Sequence, residues 1–411
     1  MEQIKTVEIK DICLGIYEGP HATPKNSDTG GIYLGIPALD PKGFIDYSRA
    51  KRIAEEDLPL WTKRVTPQED DIVFTNEATL NLYAIIPANF HGCLGRRLGL
   101  IRPNKDLVNV KYLFYYFFSP EWRETVAKNK VSGATVDRIL MTKFPSFPVS
   151  LPSLKTQERI ANILSVIDAK IEVNRQINDN LEQQAQALYK SWFVDFEPFK
   201  DGKFFDAELG IIPEGWKILP LSSLGSIICG KTPSKSNKDF YDGNIPFIKI
   251  PDMHNKIFVS NSEDHLSDLG MNSQRNKTIP PYSILVSCIA TVGLVCINTK
   301  VCQTNQQINT LIPYEDNYRI YLFLFLKSLR EQLITLGSGG TTTLNVNTSQ
   351  FSNLKIIVPD TKSLKAFSSI AESLFQRINN NCDTNYMLSN LRDMILPKLM
   401  SGELKINDLD C

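Results

Sequence analysis

The absences in this sequence narrow it first. Its 411 residues hold 45 Lys+Arg against 45 Asp+Glu, so there is no net charge and no overall basic excess of the kind nucleic-acid binders carry. No apolar run approaches the roughly 18 residues needed to cross a bilayer. The longest, residues 112–118 and 320–326, are short. The eight Cys contain no C-x-x-C pair, and with four scattered His they form no zinc pattern. They read as reduced thiols. The charged opening MEQIKTVEIKD does not read as a signal peptide, so the expected location is the cytoplasm. Assembled catalytic motifs are missing too: no G-x-S-x-G, no H-E-x-x-H, no Asn/Asp-Pro-Pro-aromatic motif and no Gly-rich loop for S-adenosylmethionine. No Glu/Asp-x-Lys follows the acidic pair Asp70-Asp71. Residues 225–232 do satisfy G-x-x-x-x-G-K-[ST]. A phosphate cradle needs a following helix, but Pro233 comes at once after Thr232 and the interior Ser-Ile-Ile-Cys is strand-like. The equivalent stretch of the first repeat, residues 12–23, lacks Gly-Lys-Thr.

What is present is a repeat. At an offset of 207, Gly133 falls on Gly340, Thr135 on Thr342, Phe144 on Phe351, Pro152 on Pro359, Ile171 on Ile378 and Leu181 on Leu388. Upstream the offset drifts to 209–212: Thr23-Pro24 matches Thr232-Pro233, Leu113-Phe114 matches Leu322-Phe323, and Ile72 matches Ile284. Small insertions of that kind belong in loops. One unit is used twice, a mixed globular domain followed by a long helix.

The helices carry the clearer pattern. Ile160, Leu164, Ile167, Ile171, Leu181, Ala185, Leu188 and Trp192 alternate spacings of four and three. The second copy runs Phe367, Ala371, Leu374, Ile378, Leu388, Ile395 and Leu399, with Arg392 on the same line. A 3.5-residue period is a coiled-coil seam. Ser153 and Asp360 are the expected N-caps. Each helix spans roughly 40 residues, or about 60 Å. Both copies place two Asn on the seam: Asn174 and Asn178, then Asn381 and Asn385. A seam amide fixes register by seeking another amide, so antiparallel pairing would set 174/178 against 385/381. Exposed positions beside the seam, Ile163, Val173, Ile177 and Phe193, are candidates for a subunit contact.

Ahead of each helix, strand-like segments cover residues 31–36, 71–75, 99–101, 245–250, 283–287 and 309–312, punctuated by Gly and Pro. Aromatic helices are expected at 110–118 and 318–329, as core packing. The expected organisation is a first domain over 1–150, a central helix over 151–196, a linker over 197–213, a second domain over 214–357, and a distal helix with its tail over 358–411. Split this way, the charge is uneven: +1 and +3 on the two domains, −3 on 151–212 and −1 on 358–411. The signs suit domains that touch phosphate and helices that touch protein.

The stretch LPSLKTQERIANILSVIDAKIEVNRQINDNLEQQAQALYKSWFVDF, residues 151–196, resembles the central helical region of type I restriction–modification specificity subunits. LRDMILPKLMSGELKI, residues 391–406, resembles that family's closing segment, and Gly19-Pro20-His21-Ala22-Thr23-Pro24-Lys25 and Gly230-Lys231-Thr232-Pro233-Ser234 fit its domain openings. The second helix departs most, lacking the Gln157-Glu158-Arg159 signature of the first. The resemblance implies an α+β fold: two pseudo-symmetric target-recognition domains separated by a pair of long antiparallel helices. Each domain would read one half of an asymmetric bipartite site in double-stranded DNA, and helix length would set the spacer. The chain itself would be non-catalytic. The helices would dock two modification (methyltransferase) subunits, and two restriction (motor–nuclease) subunits would join. S-adenosylmethionine, ATP and Mg would sit in those partners. Candidate DNA contacts are Thr23, Lys25, Arg96, Arg97 and Arg138 in the first domain, and Lys231, Thr232, Ser234, Lys235, Gln306 and Gln307 in the second. Arg96-Arg97 suit guanine edges and Gln306-Gln307 adenine edges. Against this, each is equally open to being a solvated charge or a structural hydrogen bond. Three other readings stand beside this one: a scaffold without sequence-selective DNA affinity, an inactive or alternate specificity cassette, and a nucleotide hydrolase at 225–232.

Overall fold

The computed structural model describes residues 4–133, 136–338 and 343–404. Thr135, Gly340 and Thr342 of the repeat, and the last two residues of the 391–406 segment, lie outside them. The chain forms two compact units, Met1–Glu172 with Asn385–Cys411, and Val173–Thr384. Each unit contains a globular domain and part of both long helices.

In the first unit an antiparallel sheet has the order Cys13–Glu18, Leu98–Pro103, Ile72–Thr75, Tyr83–Ile85. A three-stranded sheet beside it runs Lys51–Ile53, Gly31–Leu34, Gly92–Leu94, the last pair parallel. The second unit repeats both. Its larger sheet runs Gly225–Cys229, Ile308–Pro313, Ile284–Ser287, Val295–Asn298, and adds Phe258–Val259 at the edge. Its smaller sheet runs His265–Leu266, Tyr241–Ile248, Gln303–Thr304, again with a parallel final pair. The strand expected at 245–250 stops at Ile248, because Pro251 opens the short helix Ile250–Met253. The expected linker holds a hairpin, Phe204–Ala207 against Gly210–Pro213.

The aromatic helices are core, as their composition implies. In Val110–Tyr116 every residue except Lys111 is buried. Trp122 is fully buried and its indole donates to the Tyr83 hydroxyl at 2.7 Å, which satisfies the one polar atom that burial would otherwise strand. In Arg319–Ser328 the run Ile320–Leu326 is buried on all sides. The larger sheet, the aromatic helix and the inward stripe of the long helices share one core in each unit.

The long helices span Leu154–Phe193 and Thr361–Ser401. Ser153 Oγ accepts the Thr156 amide and Asp360 Oδ1 accepts the Ser363 amide at 3.0 Å, so both residues cap their helix. The helices run antiparallel within each unit. In the first, Asn385 donates to the Ile171 carbonyl and Arg392 to Asp168, so one number rises as the other falls. In the second, Asn381 donates to Asn178 Oδ1 at 2.8 Å, and Phe367 packs on Trp192. Asn174 is buried.

One expected surface residue is not at the surface. Phe193 is 4% exposed, held edge-on against Tyr321 and Phe367. A straight helix drifts against a 3.5-residue repeat. By the end of the central helix, Tyr189 and Phe193 have therefore rotated into the place that 188 and 192 hold by simple counting. Val173 is exposed and Ile163 and Ile177 are half-buried.

Candidate nucleic-acid interface

In both units the loops that carry the candidate residues are tied together by the same backbone hydrogen bonds. In the first, the Gly19 amide donates to the Leu98 carbonyl, fixing the 19–25 loop beside the turn that holds Arg96 and Arg97. The Asn76 amide donates to the Arg97 carbonyl, and the Ile139 amide to the Asn76 carbonyl at 2.7 Å. These bonds bring together Arg96, Arg97, Glu77 and Arg138, from segments far apart in sequence. Glu77 and Arg138 are paired in an isolated antiparallel bridge. In the second unit Gly230 bonds to Ile308, Cys288 to Gln307 and Val346 to Cys288, and Ile289 bridges Asn345. The pattern transfers at the repeat offsets. Ala78 (φ 69°) and its counterpart Ala290 (φ 63°) even share a left-handed conformation. That backbone is unfavourable for alanine, so its recurrence marks a turn that both units require.

Two glycines follow from the same geometry. A Cβ on Gly19 would lie 2.4 Å from the Gly95 carbonyl oxygen, and one on Gly230 would lie 2.2 Å from that of Asn305. The loop opening packs directly on the turn in both copies, and only glycine leaves room.

Side-chain chemistry differs between the two edges. Thr23, Lys25, Arg96 and Arg138 are exposed. Arg97 is half-buried and left-handed (φ 69°), with Nε 3.1 Å from the Glu77 carboxylate. That Nε lies off the hydrogen-bond axis, so the contact is ionic and undirected. In the second unit, Lys231, Ser234, Lys235 and Gln306 are exposed. Thr232 donates to Gln306 Oε1 at 2.8 Å, and Asn305 donates to Gln307 Oε1 at 2.9 Å, so the loop residues orient both glutamines. Ser234 bonds to Ser236, and Lys235 stands between them. Sequence reasoning missed Glu77 and Asn345. The signal was available, since an offset of 207 sets Arg138 on Asn345 and one of 212 sets Glu77 on Ile289.

Other sequence features resolve as packing. Gly225–Cys229 is a strand, and the amides of Gly230 and Lys231 are already spent on the Ile308 and Thr304 carbonyls, so this loop has no free phosphate cradle. Asp71, 1% exposed, takes a bidentate pair from Arg102 at 2.8 Å, and Asp70 pairs with Lys105. This acidic couple is structural. Burial pushes the Cys93, Cys296 and Cys302 thiols up to about 12, which keeps them protonated. Among the described residues no His/Cys/Asp/Glu group could hold a metal ion, and no helix is long and apolar enough to cross a membrane. A cavity lined by Lys42, Phe114, Tyr115, Arg123, Arg392 and Leu396 contains none of the candidate DNA-contact residues.

The family model for the type I restriction modification DNA specificity domain matches residues 1–183 and 213–392. The chain belongs to that family. The HindI specificity subunit of Haemophilus influenzae is 39% identical, over 74% of this chain and 80% of that protein. The MjaIX specificity subunit of Methanocaldococcus jannaschii is 30% identical, over 91% and 88%. Among solved structures, the S subunit of a type I restriction–modification system from M. genitalium aligns with a TM-score of 0.57, over 97% of this chain and 96% of that one. At 12% identity it speaks for the fold alone. The two family matches coincide with the two halves of the internal repeat, so the family domain occurs here twice.

Proposed function

We propose that this chain is the DNA-specificity subunit of a type I restriction–modification complex, with each recognition domain reading one half of an asymmetric bipartite site. The observation that carries the proposal is the doubled reading edge: one backbone framework, built twice, presenting arginines in one copy and amides in the other. Two equal edges would suit a palindrome; two unequal edges suit a site with different halves. Exposed base-edge donors and acceptors on loops held by rigid strands match what direct readout needs. The long helices are assigned the spacing of the two halves and the docking of two modification subunits, with two restriction subunits joining them. Methyl transfer to adenine and DNA cleavage then belong to those partners, together with S-adenosylmethionine, ATP and Mg. This chain contributes the address.

The test is co-expression with a candidate modification subunit, followed by mapping of methylated adenines. The expected result is a split motif that appears with this chain and vanishes without it. Adenine methylation that ignores sequence, or a continuous motif, refutes the proposal.

A further inference from the structure

The correspondence between the two edges is tight enough to compare them position by position. The carbonyl of Arg97 and that of Gln307 accept equivalent amides, from Asn76 and Cys288. The carbonyls of those residues accept the amides of Ile139 and Val346. The bridges Glu77–Arg138 and Ile289–Asn345 close the same corner. Arg97, Glu77 and Arg138 therefore stand where Gln307, Ile289 and Asn345 stand in the other copy.

The three changes are chemically concerted. The first corner sets two arginines beside one carboxylate, Arg97 in ionic contact with Glu77 and Arg138 its partner in the backbone bridge. A carboxylate facing phosphates is repelled, so Glu77 is out of place on a corner that only grips the DNA backbone. It fits a corner that meets base edges. Guanine offers O6 and N7 to an arginine fork, and cytosine offers an N4 amino group to a carboxylate. Glu77 also lies 3.1 Å from Nε of Arg97, an ionic contact that keeps the guanidinium beside the carboxylate. The second corner is neutral. Gln307 and Asn345 each present a donor and an acceptor, the pair that adenine N7 and N6 require, and the half-buried Ile289 offers the apolar contact that a thymine methyl group favours.

We propose that the corner formed by Glu77, Arg97 and Arg138 selects a G·C pair in one half-site, and that the matching corner of Ile289, Gln307 and Asn345 selects an A·T pair in the other. This rests on the DNA-specificity reading above. Arg97, Glu77, Gln307 and Asn345 are the base-contacting residues: Arg97 meets guanine, Glu77 accepts from the cytosine N4 amino group and holds Arg97 beside it by charge, and Gln307 and Asn345 meet adenine.

The experiment uses the full chain in complex with its modification subunit, once the wild-type split motif is mapped. Binding is measured by competition against duplexes altered one base pair at a time through both halves. Glu77→Gln is expected to lower the preference for G·C about ten-fold at one position of one half-site, within the range for one specific base contact. All other positions should hold, which also reports that the variant is folded. Asn345→Ala should do the same at an A·T pair of the other half. Exchanging the corner, with Glu77→Ile, Arg97→Gln and Arg138→Asn together, should move the first position from G·C toward A·T. The inference is overturned if Glu77→Gln weakens all duplexes evenly or alters both halves. It is also overturned if the position it relaxes is not G·C. A wild-type complex with no split motif overturns the DNA-specificity reading itself, a different result from a wild-type motif that these variants leave unchanged.

Discussion

Replacing Asp168 in the central helix should destabilise the first unit more than any exposed charge change, and the second unit supplies the remedy. Asp168 and Arg392 face each other at 2.8 Å with side chains only 14% and 9% exposed. The Tyr115 hydroxyl donates to the other Asp168 oxygen at 2.7 Å. Burial, then the Asp168 charge, push the Tyr115 hydroxyl well above the usual phenol range, so it stays protonated and remains a donor. Asp168→Ala leaves a buried guanidinium without its principal partner, which costs about 3–5 kcal/mol in comparable sites. Asp393 still accepts from Nε and Nη2 of Arg392, which keeps the loss near the lower figure. The orphaned Tyr115 hydroxyl adds about 1 kcal/mol. A total near 3–4 kcal/mol is a large share of the roughly 5–15 kcal/mol that holds a domain folded. At the repeat offsets, positions 168, 392 and 115 correspond to Phe375, Ala185 and Leu324, all buried in the second core. The triple variant Asp168→Phe, Arg392→Ala, Tyr115→Leu installs that apolar solution and should return stability to within about 1 kcal/mol of the parent, since buried ion pairs are commonly replaceable by packed hydrocarbon. Urea denaturation of the full chain, with hydrogen exchange followed over 110–116 and 385–401, measures both. The reasoning fails if Asp168→Ala costs under 1 kcal/mol, or if the triple variant is as unstable as the single one.

The Asn178–Asn381 bond should behave as a register device. Asn381→Leu alone removes the donor to Asn178 Oδ1, while Asn178 Nδ2 still donates to Cys382 Sγ, and should cost about 1–3 kcal/mol. Replacing both with Leu should raise the denaturation midpoint while yielding mixed oligomers in light scattering. The Asp360 cap supplies a pH signature. Burial alone would raise its carboxyl, but hydrogen bonds from Ser363 and from the Trp216 indole outweigh this and hold it below the usual range. A depressed carboxylate stabilises the fold at neutral pH, and that contribution is lost as pH falls through its folded value. Asp360→Ala should cost about 1 kcal/mol at pH 7, and the gap to the parent should close as pH drops below about 4. A gap unchanged across that range refutes the assignment.

The periodic parts of the chain were legible because period is a local property. The offset of 207, the helix seams and both caps can be read directly from residue spacing, and the helices fall where that spacing puts them. Phe193 shows the limit. Fixed heptad counting takes no account of cumulative helix drift, nor of a domain that covers the face counted as free. The proposed reading edges were legible only in part. Arg96-Arg97 and Gln306-Gln307 announce themselves as adjacent polar pairs, the first in a Gly-rich turn and the second in the polar run Thr304–Gln307. Glu77 and Asn345 do not, because each reaches the edge through a backbone bridge to a segment about 60 residues away. An acidic residue also looks wrong for a DNA-facing surface until its neighbouring arginine is placed.

That neighbour alters the meaning of the charge balance. The first domain holds 19 basic and 18 acidic side chains, and part of its charge is spent internally, in the Arg102–Asp71, Lys105–Asp70, Lys130–Asp137 and Arg97–Glu77 pairs. Paired charge contributes little long-range attraction, because equal and opposite charges a few ångströms apart cancel beyond about one Debye length, near 8–10 Å. Counterion release scales with the phosphates that free cations neutralise, so the paired cations of this domain add little to binding of the DNA backbone. Its arginines can still discriminate at contact, where geometry decides which base edge fits the fork. Zero net charge therefore does not argue against DNA recognition in this chain. In the proposed function, selectivity resides in the corner geometry and not in net charge.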